Sequence, residues 1–231
     1  FLCDLLFMKK LPKILIIGDS NCLPKYSNSN KDRLPIESIY TFKLKKKLKK
    51  FLFSEVIWGG ITTSMLINYA IGYYKQWKPD YIIVHSGVND VKTQLFSEKT
   101  NQKIFKIFKI FNYNKKKFKN NIIYNPNYLK YKNTNKVSPT KFLLEAKKLK
   151  KNFKKSKIIW IGIHSNININ KERPDTFRST SIFNENLKKL FKKNFIDNDF
   201  KDIYFREDGY HLNQLGHKIL FKKISKLIEK R

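Results

Sequence analysis

A serine at the end of an apolar run is the first residue in this chain that is placed for chemistry. Four apolar residues, Ile14 to Ile17, are followed by Gly18, Asp19 and Ser20. A branched apolar run of this length is typical of a strand buried on both faces, and the glycine permits a sharp exit from it. The serine then lies at the carboxyl end of a strand, where open parallel sheets bind their ligands. It can act as a nucleophile if a base and an oxyanion site are supplied elsewhere, although the same three residues are also ordinary turn residues.

A base for that serine is offered near the other end of the chain. Asp208 and His211 are three residues apart in a glycine-bearing loop, so the carboxylate can reach the imidazole within one turn. In this arrangement the aspartate holds the histidine tautomer and stabilises the imidazolium, and the other ring nitrogen faces Ser20. Asn89 offers a side-chain amide donor and Gly60 a backbone N–H with no side chain in the way. Together with the N–H of Ser20 they form a candidate oxyanion hole.

Alternating strands and helices are predicted to position these residues. Apolar runs that end at polar loops predict strands at 14–17, 51–58, 81–85, 157–163 and 202–205. Apolar residues at helical spacing predict helices at 36–50, from 62 or 63 to about 77, at 139–153, at 177–195 and after 213. The second of these helices is expected to bury Met65, Leu66, Tyr69 and Tyr73. The strand–helix order predicts a parallel sheet with helices on both faces.

One long segment, residues 95–137, does not fit a minimal strand–helix unit. It contains a near-repeat of Lys-Ile-Phe at 103–111 within a stretch rich in Asn, Tyr and Lys. We interpret it as an insertion beside the active face of a single domain that spans 8–231. A helix with lysine at every third position would keep a basic stripe and a broad apolar face. Packing on its own domain and a role as a lid or membrane contact are both consistent with that pattern.

The net charge of the chain is extreme. Its 49 Lys and Arg against 18 Asp and Glu give +31, which suits nucleic acid, an anionic polymer or an anionic membrane surface. Only five of these residues are Arg, the residue that makes bidentate contacts to nucleic acid, so nucleic acid is disfavoured. Lys is accompanied by many Asn, Ile, Phe and Tyr, which share A/T-rich codons. Base composition alone therefore explains the charge equally well.

Length and cysteine usage narrow the class of protein. A chain of 231 residues suits one α/β domain, and no apolar run is long enough to cross a membrane. Residues 1–7 are too short and too acidic for a signal peptide and are interpreted as an extension upstream of Met8, so we expect a cytoplasmic protein. Cys3 and Cys22 give neither a disulfide framework nor a metal-binding pair. We therefore expect no metal and no cofactor.

The remaining candidate residues have ordinary interpretations beside the chemical ones. His164 follows the fourth predicted strand, at the edge where ligands bind, and is a candidate for contact with substrate. His85 is expected to be a core histidine, and His217 a surface or capping residue. Cys22 is a rival nucleophile, but no second His–acid pair is evident to activate it. A zinc site built from His164, His211 and His217 is disfavoured because no pair has the usual ligand spacing.

Four blocks of the chain resemble, in order, those of the SGNH/GDSL hydrolase family. They are Gly18-Asp19-Ser20, the GGITT stretch that contains Gly60, Gly87-Val88-Asn89-Asp90 and Asp208-Gly209-Tyr210-His211. The resemblance spans nearly the whole chain and implies a three-layer α/β/α fold on a flavodoxin-like parallel five-stranded sheet. It also implies a catalytic triad of Ser20, His211 and Asp208, with oxyanion donors from Ser20, Gly60 and Asn89.

The function that this resemblance implies is that of a serine esterase. Members of the family deacylate or transacylate esters, thioesters and O-acetylated sugars, so we predict that this chain cleaves or transfers an acyl group of a small ester, above all an O-acetyl group on a carbohydrate. Asn21 and Cys22 after the serine, and the long insertion, depart from the family pattern and leave the substrate open. The alternative is a basic module without catalysis that binds an anionic polymer or membrane surface.

Overall fold

The structure is a computed structural model that describes part of the chain. The described residues are 11–26, 33–96, 98–110, 114, 118–123, 125–129, 134–164, 166, 174–197 and 200–229. The interpretation of residues 1–7 as an upstream extension lies outside them.

Five parallel strands form the central sheet, in the order β2-β1-β3-β6-β7. These strands are β1 (Lys13–Gly18), β2 (Leu52–Ile57), β3 (Tyr81–His85), β6 (Lys157–Ile161) and β7 (Phe195–Ile196). Two short strands outside this sheet, β4 (Thr93–Gln94) and β5 (Thr134–Asn135), pair antiparallel with each other. The order of the five is that of flavodoxin-like folds, which bind ligands at the carboxyl ends of the strands around β1. The predicted α/β architecture is confirmed.

Helices cover both faces of the sheet. The longer ones are α1 (Tyr40–Lys47), α2 (Thr63–Tyr74), α4 (Glu98–Ile110), α6 (Pro139–Asn152), α7 (Thr176–Phe191) and α8 (Gln214–Glu229). The shorter ones are α3 (Val88–Val91), α5 (Pro126–Leu129), a π-helical turn at Lys119–Ile123 and 3₁₀ turns at Ser20–Cys22, Ile36–Ser38, Lys192–Asn194 and Asp202–Tyr204. Ser138 caps α6, because its hydroxyl accepts a hydrogen bond from the N–H of Lys141 at 3.3 Å.

Alternate residues of β1 contribute to two separate hydrophobic cores. Leu15 and Ile17 pack in the core formed with α2, α6 and α7, whereas Ile14 and Ile16 pack in the core formed with α1 and α8. All four side chains are completely buried. Successive side chains of a strand point to opposite faces, so a continuous apolar run is what a strand between two helical layers requires. This packing fixes the end of β1, and with it the turn that carries Ser20.

The exposed face of α2 differs from the prediction. Leu66 is buried as expected, but Met65, Tyr69 and Tyr73 are 53%, 50% and 69% exposed. The buried stripe instead consists of Thr63, Leu66, Ile67 and Ala70, which has the i, i+3, i+4, i+7 spacing of one helix face. Because tyrosine and methionine are amphipathic or adaptable, their presence at helical spacing does not identify the buried side.

The fifth strand also lies elsewhere than predicted. Residues 202–204 form a 3₁₀ turn, and Ile203 in that turn is 63% exposed. The strand at the edge of the sheet is β7, only two residues long, which pairs with Trp160 and Ile161 of β6. Phe195 and Ile196 stand at the end of a long apolar-periodic segment, and only their pairing with β6 distinguishes them from helix.

The insertion begins after β4 and ends at β5, and these two strands pair antiparallel at its base. Gln94 is paired with Thr134, and Thr93 with Asn135. Beyond this pair, the N–H of Lys136 donates to the carbonyl of Lys92 at 3.0 Å. None of the described residues between 95 and 133 belongs to either hydrophobic core. The helix expected within the insertion is present as α4 over 98–110.

Candidate active site

The turn that carries Ser20 closes tightly against the end of β1. β1 ends at Gly18, and Ser20 begins the 3₁₀ turn that includes Cys22. A Cβ atom on Gly18 would lie 2.4 Å from the sulfur of Cys22, so any larger residue at position 18 would push this turn away. The sharp exit from the strand that the sequence predicts therefore depends on the close approach of Cys22 to Gly18.

Asp19 holds the same turn from both of its sides. Its backbone N–H donates to the carbonyl of His85 at the end of β3, at 3.0 Å. Its carboxylate accepts a hydrogen bond from the backbone N–H of Asn21 at 2.9 Å. Burial raises the pKa of Asp19, while the hydrogen bonds from Asn21 act in the opposite direction. The residue next to Ser20 is thus tied to the neighbouring strand and to the first turn that follows.

Ser20, His211 and Asp208 form one continuous chain of hydrogen bonds. The hydroxyl oxygen of Ser20 lies 2.8 Å from Nε2 of His211, and Nδ1 of His211 lies 2.6 Å from Oδ2 of Asp208. The other carboxylate oxygen accepts from the backbone N–H groups of Tyr210 and His211, at 3.1 and 2.9 Å. The structure therefore brings together the three residues that the sequence suggests as a triad.

The charge of Asp208 sets the tautomer of the histidine. Burial by itself would raise the pKa of Asp208, but the hydrogen bonds from His211 and Tyr210 outweigh it and lower the pKa to about 2. The carboxylate is then ionised at neutral pH and can only accept, so Nδ1 of His211 carries the hydrogen. Nε2 is left as the acceptor for the hydroxyl of Ser20.

The loop that carries Asp208 and His211 is held at both ends. The carbonyl of His211 accepts from the N–H of Arg206 at 2.9 Å. After the loop, Oδ1 of Asn213 accepts from the N–H groups of Leu215 and Gly216, which caps α8. Nδ2 of Asn213 donates back to the carbonyl of Ile203 at 2.7 Å. The capped start of α8 and the preceding turn thus hold the imidazole in place.

The three expected oxyanion donors lie on three neighbouring segments, Ser20 in its 3₁₀ turn, Gly60 in the loop before α2 and Asn89 in α3. Gly60 has a φ of +78°, which favours glycine, and no atom lies within 4 Å of the Cβ that another residue would have there. A Cβ on Gly59 would lie 3.7 Å from the Cβ of Ser20, which places this turn beside the serine. Nδ2 of Asn89 donates to the carbonyl of Ile61 at 3.2 Å and keeps a second hydrogen. Within the described residues, the N–H groups of Ser20 and Gly60 have no backbone acceptor.

A buried acid joins the loop that carries Gly60 to α3, the short helix that carries Asn89. Both carboxylate oxygens of Asp90 accept from the backbone N–H of Thr63, at 3.2 and 3.0 Å, and Oδ2 also accepts from the hydroxyl of Thr63 at 2.8 Å. The sequence suggests Thr62 or Thr63 as the cap of α2, but the side chain of Thr62 makes no capping bond and the distant Asp90 supplies it. In the sequence, Asp90 is recognisable only as an acid directly after Asn89, and nothing there indicates that it binds Thr63.

His164 does not lie on an open surface of the site. It is 1% exposed, and its Nε2 lies 3.1 Å from Oδ1 of Asn21, the residue after Ser20. Burial lowers the pKa of His164 to about 3, so the ring is neutral. The contact with substrate expected from the sequence is not supported, because the ring is enclosed by protein and supports the turn of Ser20 from behind.

The other two histidines are also buried. His85 packs in the interior as expected, and burial lowers its pKa well below the usual value. His217, expected at the surface or as a cap, is 1% exposed and stacks on the ring of Tyr40 at 5.8 Å. Burial lowers its pKa to about 3. Position 217 lies one turn into α8, where the sequence alone does not indicate which side is covered by α1.

Cys22 is not poised as a nucleophile. Its thiol is buried, and its sulfur lies 3.1 Å from the hydroxyl of Tyr40. Burial raises the pKa of the thiol well above its usual value, so it stays protonated. This agrees with the preference for Ser20 over Cys22.

Basic side chains lie near the triad. Nζ of Lys92 lies 3.9 Å from the centre of the Tyr210 ring, which is itself 4.5 Å from the ring of His211. Burial lowers the pKa of Lys25, the nearby Arg206 acts in the same direction, and the charge of Asp208 opposes them. Lys25, Lys92 and Arg206 therefore stand at the mouth of the site, the side on which Tyr210 and Asp208 lie.

Metal-binding clusters and membrane-spanning helices are both absent from the part of the chain that the structure describes. No group of three or more His, Cys, Asp or Glu side chains there could hold a metal ion. No helix there is long and apolar enough to cross a membrane.

Comparisons with known proteins identify the fold. No protein-family model matches the chain, and no curated protein matches it. Among solved structures, a lipase/acylhydrolase from Enterococcus faecalis is 15% identical with a TM-score of 0.59, covering 94% of this chain and 95% of that one. A GDSL-like lipase from Bacteroides thetaiotaomicron is 13% identical with a TM-score of 0.59, covering 96% and 90%. A psychrotrophic esterase from Pseudoalteromonas sp. is 15% identical with a TM-score of 0.53, covering 94% and 97%.

These likenesses extend over nearly the whole of each chain. At such low identity they establish the fold, which is the one that GDSL-like lipases and acylhydrolases share. The resemblance inferred from four short blocks is thus confirmed at the level of the fold.

Proposed function

We propose that this protein is a serine hydrolase that cleaves the acyl group of a small ester. The observation that carries the proposal is the chain of hydrogen bonds from Ser20 through His211 to Asp208, at 2.8 and 2.6 Å. It lies at the carboxyl end of β1, where this fold binds ligands. Structural neighbours that are a lipase/acylhydrolase, a GDSL-like lipase and an esterase support an activity of the same type.

The first half of the reaction acylates Ser20. Its oxygen attacks the carbonyl carbon of the ester while its proton passes to Nε2 of His211. The electron pair of the carbonyl bond moves to the oxygen, and the N–H groups of Ser20 and Gly60 and the amide of Asn89 stabilise this charge. Asp208 stabilises the imidazolium that forms. The intermediate then expels the alcohol, which takes the proton from Nε2, and the acyl group stays on the serine.

The second half releases the acyl group by the same route. Water gives a proton to Nε2 of His211 and attacks the acyl carbon, and the serine oxygen leaves with that proton. If a sugar hydroxyl attacks in place of water, the product is a new ester and the enzyme is an acyltransferase.

The substrate that we propose is an O-acetyl ester on a carbohydrate. The substrate range implied by the family resemblance supports this choice, as does the open space beside Gly60. Lys25, Lys92 and Arg206 near the mouth would favour a carbohydrate that carries negative charge.

A second candidate function is a basic module without catalysis. The net charge of +31 favours it, since it suits an anionic polymer or membrane surface. Binding alone does not require Ser20, His211 and Asp208 to be joined in one chain, which favours the enzyme.

Hydrolysis of p-nitrophenyl acetate tests the proposal. We expect turnover by the purified protein and a loss on the order of 10⁴-fold or more in Ser20→Ala. Ser181→Ala, a matched change on the exposed face of α7, should leave the rate unchanged. A fluorophosphonate should form a single adduct on Ser20. Equal activity in Ser20→Ala and the native protein would refute the triad, and salt-sensitive binding of a polyanion without turnover would favour the binding module.

A further inference from the structure

A cavity of about 560 Å³ lies at the pole of the sheet opposite the candidate active site. Its walls include the start of β1 at Lys13, the start of β3 at Asp80 and the segments after α2 and α6. Ser20 lies at the other end of β1, so at least the length of that strand, about 16 Å, separates the cavity from the triad. We call it the basal cavity.

The charge of the basal cavity is far more concentrated than that of the chain. Its fourteen lining residues include one acid, Asp80, and six lysines. The lysines are Lys13, Lys75, Lys78, Lys151, Lys154 and Lys155. The net charge is +5 over fourteen residues, against +31 over 231 for the whole chain. Basic residues outnumber acids by six to one in the cavity, against 49 to 18 in the chain, so the cavity is more basic than the general excess of lysine requires.

The dipoles of two helices offset part of the positive charge of the basal cavity. α2 ends at Tyr74 and α6 at Asn152, so the negative ends of both helix dipoles face this pole. Each contributes about −0.5 charge, which leaves roughly +4. Lysines near helix ends are favourable in themselves, but one or two would suffice for that purpose.

The side chains of the basal cavity are not neutralised by acids. None of its six lysines takes part in a salt bridge within the described residues. Oδ2 of Asp80 is already engaged, because it accepts from the backbone N–H of Lys13 at 2.7 Å. One ammonium group is also held in advance: Nζ of Lys13 donates to the carbonyl of Trp77 at 2.9 Å and lies 5.4 Å from the centre of the Trp77 ring.

We propose that the basal cavity binds a compact anion that carries two or more phosphate groups. Lysine ammonium groups act as strongly hydrated point charges that bind phosphate without fixed geometry, whereas planar bidentate recognition would call for arginine, which the cavity lacks. Its volume is within the range of small-ligand sites of about 300–1,000 Å³ and suits a small polyphosphorylated molecule better than an extended polymer. This site is separate from the proposed ester hydrolysis and does not depend on it.

Binding of tripolyphosphate to the full chain tests this proposal. By titration calorimetry we expect saturable binding of one tripolyphosphate per chain, with inorganic phosphate much weaker. K154E/K155E, which reverses two exposed lysines after α6, should weaken binding by about tenfold or more. The matched control K222E/K226E makes the same change in charge on α8, at residues that do not line the basal cavity, and should alter binding by less than about threefold.

Two further measurements separate a site from diffuse attraction. The fluorescence of Trp77 should respond to tripolyphosphate, and Trp77→Phe should lose this response while calorimetry still detects binding. Lys75→Glu, on the other wall, should also weaken binding, with the fold checked by circular dichroism.

ATP tests whether the cavity recognises only a phosphate chain or a nucleotide. An affinity for ATP equal to that for tripolyphosphate indicates the phosphate chain alone. A tighter affinity that K154E/K155E also weakens indicates a nucleotide. Equal losses in K154E/K155E and K222E/K226E, or no saturable binding, would overturn the proposal.

Discussion

The carboxylate of Asp90 and the backbone N–H of Thr63 are joined at 3.0 Å, although 27 residues separate them in the chain. This bond caps the first turn of α2 and ties the loop of Gly60 to α3, which carries Asn89. A second link, from the amide of Asn89 to the carbonyl of Ile61, lies beside it. An oxyanion hole assembled from separate segments needs such a connection, because donors must be held to within about 0.5 Å.

Asp90→Asn is therefore expected to reduce turnover of p-nitrophenyl acetate. The amide cannot accept with both atoms, so the loop of Gly60 should loosen, and kcat should fall roughly tenfold with little change in KM. In a double-mutant cycle with Asn89→Ala, the second change should add little, since both act on the same donor set. Fully additive losses in the cycle would show that Asp90 and Asn89 act independently, and would contradict this role.

The ionisation of Asp90 should also appear in the stability of the fold. Burial raises its pKa from the usual 3.8 to about 7, with the hydrogen bonds from Thr63 opposing the rise. A group whose pKa is raised on folding takes up a proton, so its contribution to stability is full below about pH 4 and is lost as pH rises through 7. The advantage of the native protein over Asp90→Asn should shrink by about 2–3 kcal/mol between pH 5 and pH 8 in urea unfolding. A difference independent of pH would contradict this.

Asp208→Asn should abolish most of the activity without harming the fold. The amide would present a donor to Nδ1 of His211 and favour the tautomer that has a hydrogen on Nε2, which then cannot accept from Ser20. We expect kcat to fall roughly 10³–10⁴-fold while KM changes little.

Asp197→Asn is the matched control for this change. Asp197 forms an exposed ion pair with Lys188, and such pairs contribute at most about 1 kcal/mol. It should keep full activity. If Asp208→Asn retained activity close to that of this control, Asp208 would not be the partner of His211.

The proximity of the site residues was predictable, because they follow the carboxyl ends of neighbouring parallel strands. The carboxyl ends of β1, β2 and β3 meet at one edge, so Ser20, Gly60 and Asn89 had to be near one another once these strands were identified. Asp208 and His211 were predictable as a pair from their spacing alone.

What could not be predicted depends on neighbours that are distant in the chain. The two-residue strand β7 exists only through its pairing with β6, and His217 is buried only because α1 covers it. The partner of Asp90 is set by the packing of two loops. Local periodicity carries no information on such contacts, which is also why Tyr69 and Tyr73 were assigned to the wrong side of α2.

The insertion gives the last prediction, that it borders the site and sets the length of acyl chain accepted. Its stem lies next to the expected oxyanion donor Asn89, because the carbonyl of the adjacent Asp90 accepts from the N–H of Val137 at 3.1 Å. Gln94 and Thr134 are paired antiparallel, so an Asn-Gly turn can replace residues 95–133 as a two-residue hairpin. The two hydrophobic cores include none of the described residues in that segment, and its buried apolar residues Ile123 and Leu129 would be removed with it, so the shortened protein should fold. We expect it to retain turnover of p-nitrophenyl acetate and to change its preference among acetate, butyrate and octanoate esters.

Ile107→Ser, a change at an exposed apolar residue of α4, should shift the preference in the same direction but less. Loss of acetate turnover together with loss of the cooperative thermal transition would mean that the insertion is part of the structural core, and an unchanged preference would mean that it does not border the site.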